Sequence, residues 1–194
     1  MHGILTRREA FSGQKGLREV LGYDVPATSR LELEVIVNQI EHLNEGIARI
    51  DRKIKERGSR LKGFDNITSI GGIGKKSGTI MLSNIRDIHD FTDEKKLSAY
   101  FGLVPRVSQS KETHSQGRIT KQGSKLGRTI LAQCSLVSIR YSPYLRTFYE
   151  KIKVKKGSGK AIVATARKLL TIIFHTLKNN WVFEDLSRFV FLEI

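Results

Sequence analysis

The sequence predicts a mainly α protein: a long coiled-coil helix followed by a compact helical domain with a helix-hairpin-helix and a small β-hairpin. Three observations carry this expectation. An unbroken heptad of apolar residues runs through residues 31–57. Two apolar stretches flank a Gly-Ile-Gly turn at residues 72–74. Two short extended stretches enclose a polar run between residues 103 and 121. Composition permits a packed core, with 39% hydrophobic residues and 3 prolines, and no low-complexity tract argues for disorder.

Residues 1–30 are mixed. Gly13, Gly16, Gly22 and Pro26 interrupt any long pattern, so short helical pieces and turns are expected there. Beyond them, apolar residues fall at Leu33, Ile36, Ile40, Leu43, Ile47, Ile50 and Ile54, at spacings that alternate between three and four. That pattern makes a narrow apolar seam. Glu34, Glu41, Glu45, Arg49, Arg52 and Lys55 occupy the other faces. The seam predicts a homo-oligomer formed through residues 31–57; a helix packed on its own domain is the alternative. Gly46 inside it costs about 1 kcal/mol relative to Ala, which the seam must outweigh.

Residues 64–85 read as a helix, a tight Gly72-Ile73-Gly74 hairpin and a second helix. This stretch resembles the helix-hairpin-helix element of DNA-binding proteins. Gly72 and Gly74 would let the backbone approach a phosphate closely. The free N–H groups at the start of the second helix would point at the anion, and Lys75 and Lys76 add charge. Ile70, Ile73 and Ile80 would hold the helices together. A plain Gly-rich turn is the alternative.

A short helix is expected over residues 93–101, ending before Gly102. Residues 103–107 and 117–121 read as the strands of a hairpin with a polar loop between them. A helix over residues 124–140 places Leu126, Ile130, Leu131, Cys134 and Val137 on its apolar face. Another covers residues 143–154, and Gly157-Ser158-Gly159 breaks the chain after it. Residues 160–178 form the clearest amphipathic helix, with Ile162, Val163, Ala166, Leu169, Leu170, Ile173, Phe174 and Leu177 on one stripe. The aromatic tail 180–194 is expected to dock on the core or on a partner. The domain division is therefore 1–60, 61–179 and 180–194.

Charge supplies the first functional class. Lys and Arg number 34 against 19 Asp and Glu, a net +15. An excess of this size suits a polyanionic partner, of which nucleic acid is the commonest. From Gly102 to Arg128 the basic residues Arg106, Lys111, Arg118, Lys121, Lys125 and Arg128 face Glu112 alone. From Lys151 to Lys168, seven basic residues occur with no acid. Both stretches suit a phosphate backbone. Cys134 is the single cysteine, so neither an internal disulfide nor a cysteine metal site is expected. Asp87, Asp90, Asp93 and Glu94 read as helix capping and solubility. The apolar run at Leu169 to Phe174 is too short to span a bilayer, and the N-terminus has no apolar signal region. A reducing bacterial cytoplasm is the expected location.

The first basic stretch carries hydroxyls among its cations: Ser108, Ser110, Thr113 and Ser115. A serine attacking a phosphodiester needs a proton acceptor, and cationic donors around the phosphorus, where charge accumulates. On residue types alone, such a cluster reads as a simple binding loop.

The order of motifs narrows the choice. Asn66-Ile67-Thr68-Ser69-Ile70-Gly71-Gly72-Ile73-Gly74 is followed by Leu97-Ser98-Ala99-Tyr100-Phe101-Gly102-Leu103-Val104-Pro105-Arg106-Val107-Ser108-Gln109-Ser110. Next come Gly117-Arg118-Ile119-Thr120-Lys121-Gln122-Gly123-Ser124-Lys125 and Tyr141-Ser142-Pro143-Tyr144-Leu145-Arg146-Thr147-Phe148-Tyr149-Glu150. Together they resemble the C-terminal transposase domain of the insertion-sequence 110 (110/116/902) family, over about residues 64–178. The resemblance implies a recombinase that excises and inserts DNA through a serine nucleophile, guided by a structured RNA. It assigns the nucleophile to Ser110, with Ser108 as the second candidate. Arg106, Arg118, Lys121, Lys125 and Arg128 would then hold phosphates. It further implies an RNase-H-like domain with four acidic, Mg-binding residues ahead of the coiled-coil helix. No acidic cluster of that kind occurs in residues 1–30, so no metal or other cofactor is expected in this chain, which reads as a partial or truncated transposase. A non-catalytic helix-hairpin-helix DNA-binding protein and a structural RNA-binding protein are the other readings.

Overall fold

Pro26 cannot continue a helix on its N-terminal side, and the chain turns helical immediately after it. A computed structural model of the chain describes residues 13–110 and 113–183, with backbone alone at 106–110 and 113–118. Eight α-helices and one antiparallel strand pair are seen among these residues. They fall into two units, divided between Lys53 and Ile54.

The first unit holds α1 (Gln14–Val20) and most of α2 (Ala27–Gly58). Leu17, Val20 and Val37 are buried. The Arg18 guanidinium pairs with Glu41 at 3.4 Å, and the Arg30 guanidinium donates to the Leu21 and Tyr23 carbonyls. Beyond that contact α2 stands largely bare. Ile36, Leu43, Ile47 and Ile50, four of the seven heptad positions, are 50–64% exposed. Leu33, Ile40 and Ile54 are half-buried.

The second unit is built around α8 (Ser158–Lys178), which packs on α3 (Phe64–Thr68), α5 (Glu94–Tyr100), α6 (Lys125–Tyr141) and α7 (Pro143–Lys156). α4 (Lys75–Ile85) lies between α3 and α6. Leu169, Leu170, Ile173 and Phe174 are buried, as the amphipathic stripe requires. The deepest contacts also use small residues. Ala161 and Thr165 are fully buried, whereas Ile162, Val163 and Leu177 are half-exposed. The Thr165 hydroxyl donates to the Ala161 carbonyl at 2.9 Å, so its burial leaves no unpaired donor.

The inner face of α6 departs from the expected one in the same way. Ile130, Leu131 and Cys134 are buried as expected, but Leu126 and Val137 are exposed. Gly127, Ser135 and Ser138 occupy the inward positions instead. Close helix approach favours side chains with little volume, and apolar periodicity does not register them.

The break at residues 157–159 is also narrower than expected. Gly157, at φ 80°, alone ends α7, and Ser158 and Gly159 already belong to the first turn of α8.

Two strands, β1 (Pro105–Ser110) and β2 (Thr113–Ile119), pair antiparallel, with Ser108 opposite Ser115 and Ser110 opposite Thr113. The stretch expected to be a polar loop is therefore largely paired backbone. Pairing starts from a fixed root, where the Thr120 N–H donates to the Val104 carbonyl at 2.9 Å. It extends past the apolar residues, so hydrophobic pattern understates its length. Of the tail, Trp181 to Phe183 lie along α3: the Asn66 amide donates to the Trp181 carbonyl and the Phe183 N–H to the Ser69 hydroxyl. Residues 184–194 lie outside the described residues.

Candidate nucleic-acid interface

The turn between α3 and α4 is held from inside by Ile67, Ile70 and Ile73, all buried, with Ile80 packed half-buried against the same core. Its two glycines differ. Gly72 has φ +98°, and a Cβ there would lie 2.4 Å from the Ser138 hydroxyl and 2.6 Å from the Ser138 nitrogen. Gly72 is thus required by the packing of the turn on α6, whatever else approaches it. Gly74 has an ordinary extended conformation, caps α4 without a side-chain bond, and faces open space. Lys75 and Lys76 follow as the first residues of α4 and are exposed, with no acid in that turn. Cations at a helix N-terminus are disfavoured by about 0.3–1 kcal/mol each, and an anion there reverses the sign.

Of the remaining sequence-predicted residues, Lys121, Lys125 and Arg128 lie near the root of the strand pair. Gly102, at φ +66°, lies so close to Gln122 that a Cβ would meet the Gln122 carbonyl. The Lys121 N–H donates to the Gly102 carbonyl at 3.2 Å, and Lys121 itself adopts φ 57°. Lys121 and Lys125 are exposed. Arg128 is half-buried, and its Nη1 donates to the carbonyls of Phe101, Gln122 and Gly123 at 3.1–3.2 Å. It therefore braces the chain on either side of the hairpin, a role that the sequence reading, which assigned it to phosphate, did not foresee. A partial signal was present: two turns rich in glycine leave carbonyls that need donors. For Arg106, Ser108, Ser110 and Arg118 the described backbone gives strand register alone.

The two groups are apart. Gly72 packs on Ser138, thirteen residues along α6 from Lys125, or about 20 Å at 1.5 Å per residue. Asn66 and Ser69, which tie down the chain after α8, carried no sequence signal for that role. Their partners lie 115 and 114 residues away.

Nearby ionisable groups are structural. Asp93 caps α5 through the Lys96 N–H, and Asp87 accepts from the His89 N–H at 2.9 Å. That backbone hydrogen bond holds the Asp87 carboxyl below its ordinary range. Burial pushes the Cys134 thiol up, opposed by a hydrogen bond with Ser77. Among the described residues no three His, Cys, Asp or Glu side chains converge to hold a metal. No described helix is long and apolar enough to cross a membrane.

Residues 65–150 match the family described as Transposase IS116/IS110/IS902. This stretch belongs to that transposase family. The pilin gene-inverting protein of Moraxella bovis is 30% identical over 154 residues, 76% of this chain and 48% of that protein. The transposase for insertion sequence element IS1111A of Coxiella burnetii is 26% identical over 153 residues, 75% of this chain and 41% of the relative. A 43.6 kDa uncharacterized protein of insertion element IS110 from Streptomyces coelicolor is 21% identical over 120 residues, covering 61% and 30%. The chain spans about half the length, or less, of these relatives. The family match runs from α3 into α7, so it contains the Gly72–Lys76 turn, both strands and all of α6.

Proposed function

We propose that this chain serves DNA transposition or recombination by binding element DNA and joining its strands through Ser110. The observation that supports the reading is the family match over residues 65–150, a stretch that includes both Gly72–Lys76 and Ser110. In the proposed step the Ser110 oxygen forms a bond to a backbone phosphorus. The bond from that phosphorus to the leaving strand end breaks, and the serine proton ends on the departing oxygen. Arg106, Arg118, Lys121 and Lys125 hold the phosphate charge as it builds. Gly74, Lys75 and Lys76 bind a second stretch of backbone without regard to sequence. Arg128 acts first through the carbonyls it holds. A structured RNA and an acidic, Mg-binding domain complete the system as the family resemblance implies. The exposed heptad of α2 brings two copies together.

The test is a trapped covalent adduct between this chain and element-end DNA, with the acidic domain supplied in trans. Ser110→Ala should abolish the adduct and Ser108→Ala should keep it. An adduct that survives Ser110→Ala would remove Ser110 from the chemistry. No adduct under any of these conditions would end the enzyme reading. A non-catalytic DNA-binding module would then remain, favoured by the uncapped, lysine-flanked N-terminus of α4.

A further inference from the structure

From Lys151 to Phe183 the chain contains no acidic residue, but its cations have different surroundings. Lys153 is held by Glu150 at 3.2 Å. Lys168 lies over the Tyr144 ring, 5.4 Å from its centroid, and Lys178 donates to the Phe91 carbonyl. Arg167 is half-buried. Lys151, Lys155, Lys156 and Lys160 are all exposed, and none forms an ion pair among the described residues. Lys155, Lys156 and Lys160 sit at the corner where α7 ends and α8 begins, and Lys151 lies one turn before Lys155 on α7.

Helix geometry gathers them. Lys151 and Lys155 stand one turn apart on the same face of α7. Lys156 is the last residue of α7, and Lys160 is the third of α8. Lysines in the last turn of α7 are favoured by its dipole, which is an ordinary structural reason for Lys155 and Lys156. It does not extend to Lys160, at the positive end of α8. That first turn has no acid, and Gly157 offers no side-chain cap to its N–H groups. With no acid between Lys151 and Phe183, no neighbouring carboxylate in this stretch compensates the lysine charge. Val154 lies among these residues at 85% exposure, unused by the core. The corner is also remote from the α3–α4 turn. α7 starts at that turn, where Ser142 and Leu145 share a cavity with Ser69 and Gly71. From there it runs 14 residues, about 21 Å.

We propose that the α7–α8 corner is a third phosphate-binding surface, which engages a nucleic-acid backbone through Lys151, Lys155, Lys156, Lys160 and the open N-terminus of α8. The proposal rests on the reading that the chain binds nucleic acid. It adds that a separate length of strand or duplex is held apart from the α4 N-terminus, toward the far end of α7. Binding at the corner is independent of base sequence and sensitive to salt.

The test uses the full chain and a fluorescent duplex of arbitrary sequence, titrated by anisotropy across a salt series. Wild type is compared with Lys151→Gln/Lys155→Gln/Lys156→Gln/Lys160→Gln and with Lys75→Gln/Lys76→Gln. All six positions are exposed, and circular dichroism checks that helix content is kept. The corner variant should lower the slope of log K against log salt by about 2–4 units, at roughly 0.9 per lost phosphate contact. Combining the two sets should add their effects, as separate surfaces require. An unchanged slope in the corner variant alongside a reduced one in the α4 variant would overturn this inference and leave DNA binding standing. No binding of wild type to duplex or single strand would overturn both. Loss of binding to phosphatidylserine vesicles with the DNA slope unchanged would assign the corner to a lipid surface and overturn the inference.

Discussion

A Cβ on Gly72 would lie 2.4 Å from the Ser138 hydroxyl, whereas one on Gly74 would meet nothing within 4 Å. The two substitutions should therefore separate folding from binding. Gly72→Ala forces a side chain against α6 at φ +98°, and thermal denaturation should show a loss of at least about 2 kcal/mol. Gly74→Ala should cost no more than about 1 kcal/mol, while Gly74→Val should weaken DNA binding at low salt with the fold retained. Equal stability losses for Gly72→Ala and Gly74→Ala would contradict the packing role of Gly72. Ser138 offers the converse case. Its hydroxyl is buried with no hydrogen-bond partner among the described residues. Ser138→Ala removes an unsatisfied polar group, so stability should stay level or rise by up to about 1 kcal/mol. A clear drop in melting temperature would show that the hydroxyl is satisfied after all.

At the scale of elements, residue pattern predicted surfaces better than ends. The α2 heptad and the α8 stripe were legible because many residues repeat one period. The hairpin strands were legible only near their root, because the rest of their pairing is carried by backbone bonds among polar residues. The exposed α2 seam makes a direct prediction. Leu43→Glu/Ile47→Glu should shift the chain to a smaller species in light scattering, while wild type forms an oligomer; a monomeric wild type would sink the seam as a self-association surface. The capping reading of the acidic residues can be checked too. Asp93→Ala should cost about 1 kcal/mol through loss of the α5 cap. Asp87 has its pKa lowered on folding. Its contribution is therefore present above the ordinary carboxylate range and lost as pH falls through the lowered value. Asp87→Asn should flatten that part of a melting-temperature profile against pH, and an unaltered profile would mean the His89 contact carries no linkage.

For the whole molecule, net charge sets the partner class and fold sets where the charge can act. A net +15 predicts DNA affinity that falls steeply with salt. With six or more phosphate contacts the fall should reach about a thousandfold between low and moderate salt, for unrelated and element-end duplexes alike. A salt-independent affinity measured by anisotropy would contradict the phosphate-based interface. The sequence alone determined the mainly helical class, the long apolar seam, the basic stretches and the ordered motifs of the transposase family. Each is written in period, composition or linear order, which need no knowledge of partners in space. Only the tertiary structure decided that Gly72 packs on Ser138, that Arg128 braces the hairpin root, and that Asn66 and Ser69 fasten the chain after α8. These depend on small or polar side chains meeting across long sequence separations. Close approach and hydrogen bonding between distant residues leave no periodic trace along the chain.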